Sequence, residues 1–350
     1  MDKPLNFGVI GCGVIAPTHV AGLAALPGAR VTWACDLVEE KARALADKHG
    51  IPNISVDYMD VLGDDAVDAV CVCTDHASHA PIAVAAMNAG KHVLVEKALA
   101  ASKDGLDAMR AAAKRHPDLA FGGVFQHRFD PEYQLLKRLV DEGAFGTILT
   151  AGVSLRCLRA DGYYRGDPWR GTWDLEGGAV CINQAIHFVD SLLWIMGGAR
   201  ALCGVWRNMT HQDVMETEDT AVAMFQFKNG AVGTLEATCG SNIKWEPTLS
   251  IHGSDGGIEL RHDKLVKSEF TDAEKAVAIQ AEFAECKEKH AALLGKSYYG
   301  TGHVSQLANF AAAVREGRQP FVTGQSAAET VEAVLSIYES HASGKWVDLG

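Results

Sequence analysis

Short apolar strands alternate with alanine-rich helical stretches from Asn6 to about Gly123, and this alternation constrains the fold more than any other feature. The apolar runs are continuous, which is typical of strands that are buried on both faces. The pattern predicts an α/β fold with a doubly wound parallel sheet. The predicted strands are Asn6–Ile10, Arg30–Cys35, Ala69–Cys73, His92–Val95 and Ala120–Gly123, and the predicted helices are Ile15–Ala25, Glu39–His49, Ala80–Ala89 and Lys103–Arg115.

The pattern changes after Phe125. A predicted amphipathic helix, Pro131–Glu142, is followed by longer strands in which polar and apolar residues alternate. Asn229-Gly230 lies between two of these strands, and Asn-Gly is a strong signal for a β-hairpin. We therefore expect a mixed or antiparallel sheet that carries helices on one face. Its predicted strands are Thr147–Leu158, Ala201–Trp206, Thr220–Phe227, Ala231–Thr238 and Thr248–His252, with a second turn at Ser254–Gly257.

Chain length and this change of pattern together predict two domains. The 350 residues are too many for one compact core, so we assign residues 1–124 to a first domain and residues 125–350 to a second. Asp272–His290 is predicted to be a charged surface helix. Two closing helices, residues 304–315 and 326–341, are expected to pack back on the first domain.

The composition argues against several kinds of partner. A net charge of −12 disfavours a general surface for nucleic acid or anionic membranes, and no apolar run is long enough to span a bilayer. The nine cysteines are odd in number and form no CxxC pair, which indicates reduced, buried thiols. With no secretory signal pattern at the start of the sequence, we expect a cytoplasmic protein.

The turn after the first predicted strand has the form Gly11-x-Gly13-x-x-Ala16. In dinucleotide-binding turns the first glycine permits the tight turn, and the second lets a pyrophosphate approach the backbone. We predict that Gly11, Gly13, Val14 and Ile15 bind a dinucleotide, because the start of a helix offers free N–H groups to phosphates. A glycine turn can be purely structural, but a strand before it and a helix after it favour cofactor binding.

Asp36 ends the second predicted strand, about 20 residues after the glycine turn. A carboxylate at this place accepts hydrogen bonds from the hydroxyls of the adenosine ribose and repels a 2′-phosphate. Leu37 and Val38 supply no cation that would offset the repulsion. The sequence therefore predicts NAD rather than NADP, whereas the alternative for Asp36 is a turn-forming acid after a strand.

Two further loops follow predicted strands of the parallel sheet, where ligands of such folds bind. We predict that Thr74 and His79 in one loop, and Glu96 and Lys97 in the other, contact the cofactor. Lys97 is also placed to hold a substrate hydroxyl. The alternatives are that Ser78 or His79 only caps a helix and that Lys97 is a solvated lysine.

A Gly177-Gly178 turn leads into a predicted helix in which Asn183 and His187 are four residues apart. Residues at this spacing share one face of a helix. If that face lines the crevice, His187 is the natural base for a substrate hydroxyl, and Asn183 binds the substrate. The alternative is that His187 is a satisfied core residue.

These motifs resemble the Gfo/Idh/MocA oxidoreductase family over essentially the whole chain. The resemblance also rests on Arg128-Phe129-Asp130-Pro131 and Gly302-His303. It implies a Rossmann domain joined to an α/β domain with a large open sheet, which commonly mediates dimers and tetramers, so we expect a homodimer or homotetramer. It further implies NAD-dependent oxidation or reduction of secondary alcohols in sugars, cyclitols or nucleotide sugars.

The same resemblance implies that Lys97 and His187 are the catalytic residues. The sequence departs from the family at two positions, because Ala98 replaces the usual proline and Asn183 replaces a frequent aspartate. An amide can orient a hydroxyl but cannot exchange protons as an acid does. His187 and Lys97 are therefore expected to perform the proton chemistry.

A narrower resemblance links the chain to the subgroup of UDP-N-acetylglucosaminuronate 3-dehydrogenases, the WlbA type. This resemblance implies a nucleotide-sugar substrate that is oxidised at C3. The segments that carry it are Tyr163–Trp173, Asn183–His187, Glu216–Thr220 and Tyr299–His303.

Within the first of these segments, the resemblance implies that Arg170 contacts a substrate carboxylate or the cofactor ribose and that Trp169 lies at the cofactor. Arg128 and Tyr164 are the other expected substrate contacts. The alternative is that Trp169 and Trp173 cover the core and fix the loop.

Other activities remain as alternatives. One is a dehydrogenase or reductase of cyclitols or simple glycosides, and another is a non-catalytic sensor that binds NAD. Histidine spacing typical of a metal site, a Gly-x-Ser-x-Gly motif and a P-loop are all missing from the sequence, so we expect no metal cofactor and neither hydrolase nor kinase activity.

Overall fold

The structure, a computed structural model, describes residues 4–243, 245–291 and 302–350. The chain divides into two compact units. The first runs to Gln126 and takes in the segment that ends at Glu329, whereas the second begins at His127 and includes Thr330–Gly350. The division after Gln126 lies close to the predicted domain boundary at residue 124. No helix in the described part of the chain is long and apolar enough to cross a membrane.

The first unit is built on a six-stranded parallel sheet in the order β3-β2-β1-β4-β5-β6. The strand order reverses between β1 and β4, and ligands of such sheets bind at the carboxyl ends of the strands there. The strands are β1 (Leu5–Ile10), β2 (Ala29–Cys35), β3 (Asn53–Ser55), β4 (Ala69–Val72), β5 (His92–Val95) and β6 (Phe121–Gly123).

The helices of the first unit connect these strands, and one helix from late in the chain joins them. They are α1 (Ala16–Ala24), α2 (Glu39–His49), α3 (Tyr58–Gly63), α4 (His76–Asn88), α5 (Lys103–Arg115) and α10 (His303–Glu316). Helix α10 packs closely on α1, because a Cβ at Gly22 would lie 2.5 Å from Leu307 Cδ1. Phe310 of α10 is buried against Phe7 of β1, with ring centroids 6.4 Å apart.

The second unit contains an eight-stranded sheet in the order β13-β12-β11-β7-β10-β9-β8-β14. Strands β7 and β10 are parallel, and the other neighbouring pairs of this described sheet are antiparallel. Gly230, with φ +91°, makes the tight turn of the β9–β10 hairpin. The strands are β7 (Ile148–Arg156), β8 (Ala199–Arg207), β9 (Thr220–Phe227), β10 (Val232–Thr238), β11 (Thr248–Gly253), β12 (Gly256–Arg261), β13 (Lys264–Phe270) and β14 (Val347–Asp348).

Helices cover one face of this sheet. The helical segment Val180–Met196 among them carries two predicted site residues, Asn183 and His187. A π-helical turn, Val180–Ala185, runs directly into α8 (Ile186–Met196), which is almost wholly buried. The other helices are α6 (Pro131–Asp141), α7 (Asp161–Arg165), α9 (Ala273–Ala291) and α11 (Gly324–Ser343). From Thr330 onward, α11 belongs to the second unit.

The predicted fold class is confirmed: a doubly wound parallel sheet is followed by a mixed sheet with helices. The prediction missed the short elements β3 and α3, the strands β12 to β14, and the π-helical turn. Strand β3 has only three residues, which is too few for a recognisable hydrophobic period.

Candidate active site

The glycine turn joins β1 to α1 and has the geometry that a dinucleotide pyrophosphate requires. Gly11 has φ +91°, and a Cβ there would lie 2.5 Å from the carbonyl carbon of Cys73. A Cβ on Gly13 would meet no atom within 4 Å, so space is open beside this backbone. Ile15 precedes α1 without a side-chain cap, and Val14 is 70% exposed. The first amides of α1 can therefore serve a phosphate.

Asp36 is tied to this turn by its carboxylate. Oδ2 accepts a hydrogen bond from the backbone N–H of Cys12 at 2.8 Å, and Oδ1 accepts one from Val38 N–H at 2.9 Å. The two residues that follow Asp36 are exposed, apolar and without charge. The residues present thus fit an adenosine ribose with a free 2′-hydroxyl, and the dinucleotide would be held by Gly11, Gly13 and Asp36.

We expect NADH to bind at least about 10-fold more tightly than NADPH, because the Asp36 carboxylate repels a 2′-phosphate. Asp36→Ser should weaken both complexes, since the contact with Cys12 is lost, and should bring the two affinities closer together. Fluorescence titration with both cofactors measures the ratio, and the exposed Asp118→Ser is the matched control. Comparable affinities in the wild type would remove Asp36 from this role.

The loop after β4 corrects one part of the sequence analysis. Helix α4 is capped by Asp75, whose carboxylate accepts a hydrogen bond from Ser78 N–H at 3.0 Å, so neither Ser78 nor His79 is the cap. His79 is fully buried, and its ring nitrogens lie 2.7 Å from Ala98 O and 3.1 Å from Thr74 O. Burial lowers the pKa of His79. His79 therefore connects the two loops, while Thr74 is half-buried.

Glu96, which the sequence predicts at the cofactor, is buried in the first unit. Its Oε1 lies 2.7 Å from His19 Nε2, and its Oε2 accepts a hydrogen bond from Lys97 N–H at 3.1 Å. Burial alone would raise the pKa of Glu96, but the hydrogen bond and charge of His19 outweigh it and lower the pKa to about 2. Burial also opposes a charged His19, yet Cys73 and Glu96 hold its pKa well above the usual value. The pair positions the half-buried Lys97, whose peptide bond to Ala98 is cis.

The Glu96–His19 pair is expected to stabilise the folded protein over a limited pH range. Because the pKa of Glu96 falls from 4.5 to about 2, its contribution is present above pH 4.5 and is lost as the pH falls towards 2. The raised pKa of His19 sets the upper edge, above its usual value of 6.5. We expect Glu96→Gln to lower the free energy of unfolding by about 2–3 kcal/mol near pH 6, and by less in acid. Urea unfolding across this pH range tests it, and a constant difference would contradict it.

In the second unit, buried contacts fix the start of the helix that carries Asn183 and His187. Gly178 has φ +143°, and a Cβ there would lie 2.1 Å from the hydroxyl oxygen of Tyr338. The buried Glu218 carboxylate accepts hydrogen bonds from Ala179 N–H, Cys181 N–H and the Tyr338 hydroxyl at 2.9–3.0 Å. Burial raises the pKa of Glu218 to about 7. These contacts hold the π-helical turn in place.

A polar network surrounds Asn183. Its Nδ2 donates hydrogen bonds to Oε1 of the fully buried Glu176 and, at 3.4 Å, to the Tyr163 hydroxyl oxygen. Gln184 Nε2 donates to the same hydroxyl at 3.2 Å. Sequence reasoning missed Glu176 as a partner of Asn183. The signal was available, because Glu176 comes directly before the Gly177-Gly178 turn and only seven residues before Asn183. Asn183 replaces an aspartate that is frequent at this position, and the carboxylate of Glu176 lies next to its amide.

His187 lies one turn after Asn183, on the first turn of α8, and is 9% exposed. Its Nδ1 is buried, and its ring meets the ring of His127 edge to face with centroids 5.7 Å apart. His127 Nδ1 lies 2.6 Å from the carboxylate of Asp130. Ser191 donates a hydrogen bond to the His187 carbonyl oxygen at 2.9 Å. His187 is therefore held in a packed, polar setting within the second unit.

Two residues that the sequence predicts to contact the substrate, Arg128 and Tyr164, have partners inside the second unit. Arg128 is 5% exposed and forms a bidentate ion pair with Asp190, with Nε and Nη2 at 2.9 and 2.6 Å from its oxygens. Thr330 donates a further hydrogen bond to the same carboxylate. Tyr164 is buried, and its hydroxyl lies 3.2 Å from Cys239 Sγ. Both side chains stabilise the interior of the second unit.

The neighbouring Tyr163 and the predicted substrate contact Arg170 lie against each other. The Arg170 guanidinium lies over the Tyr163 ring, 3.9 Å from its centroid, and Arg159 lies 5.3 Å from the same centroid. Arg170 also donates a hydrogen bond to Asp167 at 2.8 Å and lies 5.0 Å from the half-buried Trp169 ring. Two guanidinium groups thus lie within 5.3 Å of the centroid of one tyrosine ring.

No cluster of three or more His, Cys, Asp or Glu side chains that could hold a metal ion occurs among the described residues. The nine cysteines are free thiols. The start of the predicted Tyr299–His303 segment, up to residue 301, lies outside the described residues.

Family models match both units of the chain. The model described as "Oxidoreductase family, NAD-binding Rossmann fold" matches residues 5–123, and the model of the GFO/IDH/MocA C-terminal domain matches residues 133–259. The first match covers the glycine turn and Asp36, so the cofactor predicted from these residues, NAD, is confirmed.

Full-length relatives agree with these matches. A levoglucosan dehydrogenase of Pseudarthrobacter phenanthrenivorans is 26% identical, with 99% of this chain and 98% of the relative covered. A scyllo-inositol 2-dehydrogenase (NAD(+)) of Bacillus subtilis is 25% identical, with 100% and 97% covered. The crystal structure of the WlbA dehydrogenase of Bordetella pertussis, in complex with NADH and UDP-GlcNAcA, superposes with TM-score 0.90 at 26% identity and covers 100% of this chain and 99% of its own. The chain belongs to the Gfo/Idh/MocA family of NAD-dependent oxidoreductases.

Proposed function

We propose that the protein oxidises a ring secondary alcohol of a sugar or nucleotide sugar, at C3, with NAD as the hydride acceptor. The observation that carries this proposal is the polar face of the helix around Asn183 and His187. Beside it lies the cationic pair of Arg170 and Arg159 on Tyr163. Such a face suits a polyhydroxylated ring that also bears an anionic group.

His187 is the proposed base. Since its Nδ1 is buried, Nε2 is the nitrogen that we assign to the substrate hydroxyl, whose proton must leave as the adjacent carbon loses hydride. Lys97 is proposed to hold the substrate oxygen and to stabilise its developing charge. Bound NAD supplies the electrophilic nicotinamide that accepts the hydride. Asn183 orients a hydroxyl and exchanges no proton.

The similarity to the WlbA dehydrogenase supports a nucleotide sugar over a neutral polyol. That structure contains NADH and UDP-GlcNAcA, and it covers the whole of this chain. UDP-GlcNAcA carries a carboxylate and phosphates, which suit Arg170 and Arg159 electrostatically. Arg170 is the proposed contact for the carboxylate, and Trp169 is proposed to lie at the cofactor.

A substrate panel tests this proposal. NADH formation at 340 nm is followed with NAD⁺ and UDP-GlcNAcA, UDP-GlcNAc, levoglucosan, myo-inositol or scyllo-inositol. We expect UDP-GlcNAcA to give the highest kcat/KM, and Arg170→Ala to reduce this preference over UDP-GlcNAc. Equal rates with neutral polyols would contradict the proposal.

The second candidate is a cyclitol or simple glycoside dehydrogenase. The curated relatives named levoglucosan dehydrogenase and scyllo-inositol 2-dehydrogenase support it over the full chain. Turnover of levoglucosan or an inositol without turnover of UDP-GlcNAcA would favour this candidate. Tight NADH binding with no turnover on the whole panel would favour a non-catalytic sensor instead.

We further propose a homodimer or homotetramer that forms through the outer face of the second sheet. Val222, Met224 and Val232 on this face are 43%, 48% and 53% exposed in the single chain, and burying such a patch favours self-association. Sedimentation should therefore give a multiple of 37.4 kDa at micromolar concentration. Met224→Lys should shift it towards monomer, whereas the control Val277→Lys on α9 should not. A wild type that sediments only as a monomer would contradict the proposal.

A further inference from the structure

The hydroxyl of Tyr163 lies within a defined set of donors. Tyr163 is half-buried on the short helix α7, and its oxygen lies 3.4 Å from Asn183 Nδ2 and 3.2 Å from Gln184 Nε2. Both nitrogens belong to side-chain amides, which donate and never accept through nitrogen. With these amides oriented as they are in the structure, the phenol oxygen is the acceptor in both contacts.

Glu176 fixes this arrangement from the interior. Its side chain is fully buried, its Oε2 accepts a hydrogen bond from Gly171 N–H, and its Oε1 accepts one from Asn183 Nδ2. A carboxylate can only accept, so the atom of Asn183 that faces Glu176 must be the NH₂ group. The two hydrogens of that group are then directed to Glu176 and Tyr163.

The direction of the Tyr163 proton follows. A phenol oxygen has two acceptor sites and one proton, so two donating amides leave the O–H to point away from both of them. The Arg170 guanidinium, 3.9 Å from the ring centroid, places positive charge on the ring face and makes this O–H a stronger donor.

We propose that the Tyr163 hydroxyl donates a hydrogen bond to an acceptor oxygen of the sugar substrate, and that Glu176 is the positioning residue that sets this polarity. The inference rests on the proposed sugar oxidation and adds a specificity-determining residue to it. A substrate that places an acceptor oxygen, such as a carbonyl, carboxylate or ether oxygen, beside the Tyr163 hydroxyl is therefore preferred over one that places only a hydrogen-bond donor there.

Neutron diffraction from a perdeuterated crystal of the NADH complex tests the polarity without any sugar. We expect the Tyr163 O–D to point away from Asn183 and Gln184. An O–D aimed at the Gln184 side chain would overturn the proposal, because the Tyr163 hydroxyl would then donate its hydrogen bond to Gln184 and not to the substrate.

Calorimetric titration of UDP-GlcNAcA into NADH-saturated enzyme tests the contact itself. Tyr163→Phe should weaken binding about 10-fold, while NADH affinity and the thermal midpoint stay near those of the wild type. The matched control is Tyr164→Phe, which removes the adjacent hydroxyl from its contact with Cys239 and should leave sugar affinity unchanged. Wild-type sugar affinity in Tyr163→Phe would overturn the proposal.

A double-mutant cycle separates positioning by Glu176 from a merely structural role. Glu176→Gln should weaken sugar binding, and adding it to Tyr163→Phe should cause little further loss, because both changes remove one interaction. Additive losses would overturn the positioning role. If UDP-GlcNAcA fails to bind the wild type, the nucleotide-sugar function fails, whereas the neutron result still decides the polarity and the titration is repeated with levoglucosan.

Discussion

Replacing His187 with alanine is expected to lower kcat by about 100-fold or more, because the hydroxyl proton then has no base. Lys97→Ala should produce a loss of similar size by leaving the developing charge on the substrate oxygen without a cation. NADH should still bind both variants, since Gly11 and Asp36 are untouched. Steady-state kinetics on the preferred panel sugar, together with NADH fluorescence titration, measure the two effects separately.

Matched variants make this prediction specific. Asn183→Ala should reduce kcat less than His187→Ala does, because an amide only orients the substrate. His116→Ala and Lys114→Ala, which change a histidine and a lysine at the end of α5, should leave kcat unchanged. Near-normal turnover by His187→Ala on the true substrate would assign the base to another residue.

The glycine turn gives the second large effect, and its two glycines should respond differently. A Cβ on Gly13 meets no protein atom within 4 Å, so Gly13→Ala should fold normally but weaken NADH binding at least about 10-fold by occupying pyrophosphate space. Gly11 has φ +91°, and a Cβ on it would lie 2.5 Å from the backbone of Cys73. Gly11→Ala should therefore also lower thermal stability.

Thermal unfolding without cofactor and NADH titration distinguish the two variants. Gly63→Ala, also with nothing within 4 Å of its Cβ, is the control, because it lies on α3 away from the turn. Normal NADH affinity in Gly13→Ala would show that the pyrophosphate does not approach this backbone.

The strands, turns and helices that sequence reasoning predicted correctly are those encoded locally. Gly11 follows the first strand and Asp36 follows the second, so their separation in the sequence is enough to predict that both lie at the carboxyl end of the sheet. The helix of His187 was recognisable in the same way, because the Gly177-Gly178 turn precedes a continuous apolar stretch. Lys97 follows a short buried strand that is as easily recognised.

The contacts that sequence reasoning did not foresee join side chains that are distant in the chain. Arg128 pairs with Asp190, and Tyr164 contacts Cys239, 62 and 75 residues away, so no local pattern announces that they are internal. Which of two adjacent tyrosines faces inward depends on tertiary packing alone, so the local pattern could not show that Tyr164 is the buried one. The contact of Glu96 with His19 was not foreseen because His19 lies on a helix that local reasoning treats separately.

The π-helical turn at Val180–Ala185 has a consequence for how sites of this kind diversify. A π-turn holds one residue more than an α-turn, and removing that residue restores α-helical geometry. The residues of the π-turn, Asn183 among them, would then rotate by ~100° about the helix axis relative to His187, whereas Glu176 lies before the Gly177-Gly178 turn and outside the helix. Asn183 would leave Glu176 in a single step that no point substitution can reproduce. Insertion or deletion of one codon here would therefore change the helical phase of the face that carries Asn183 while His187 stays where it is.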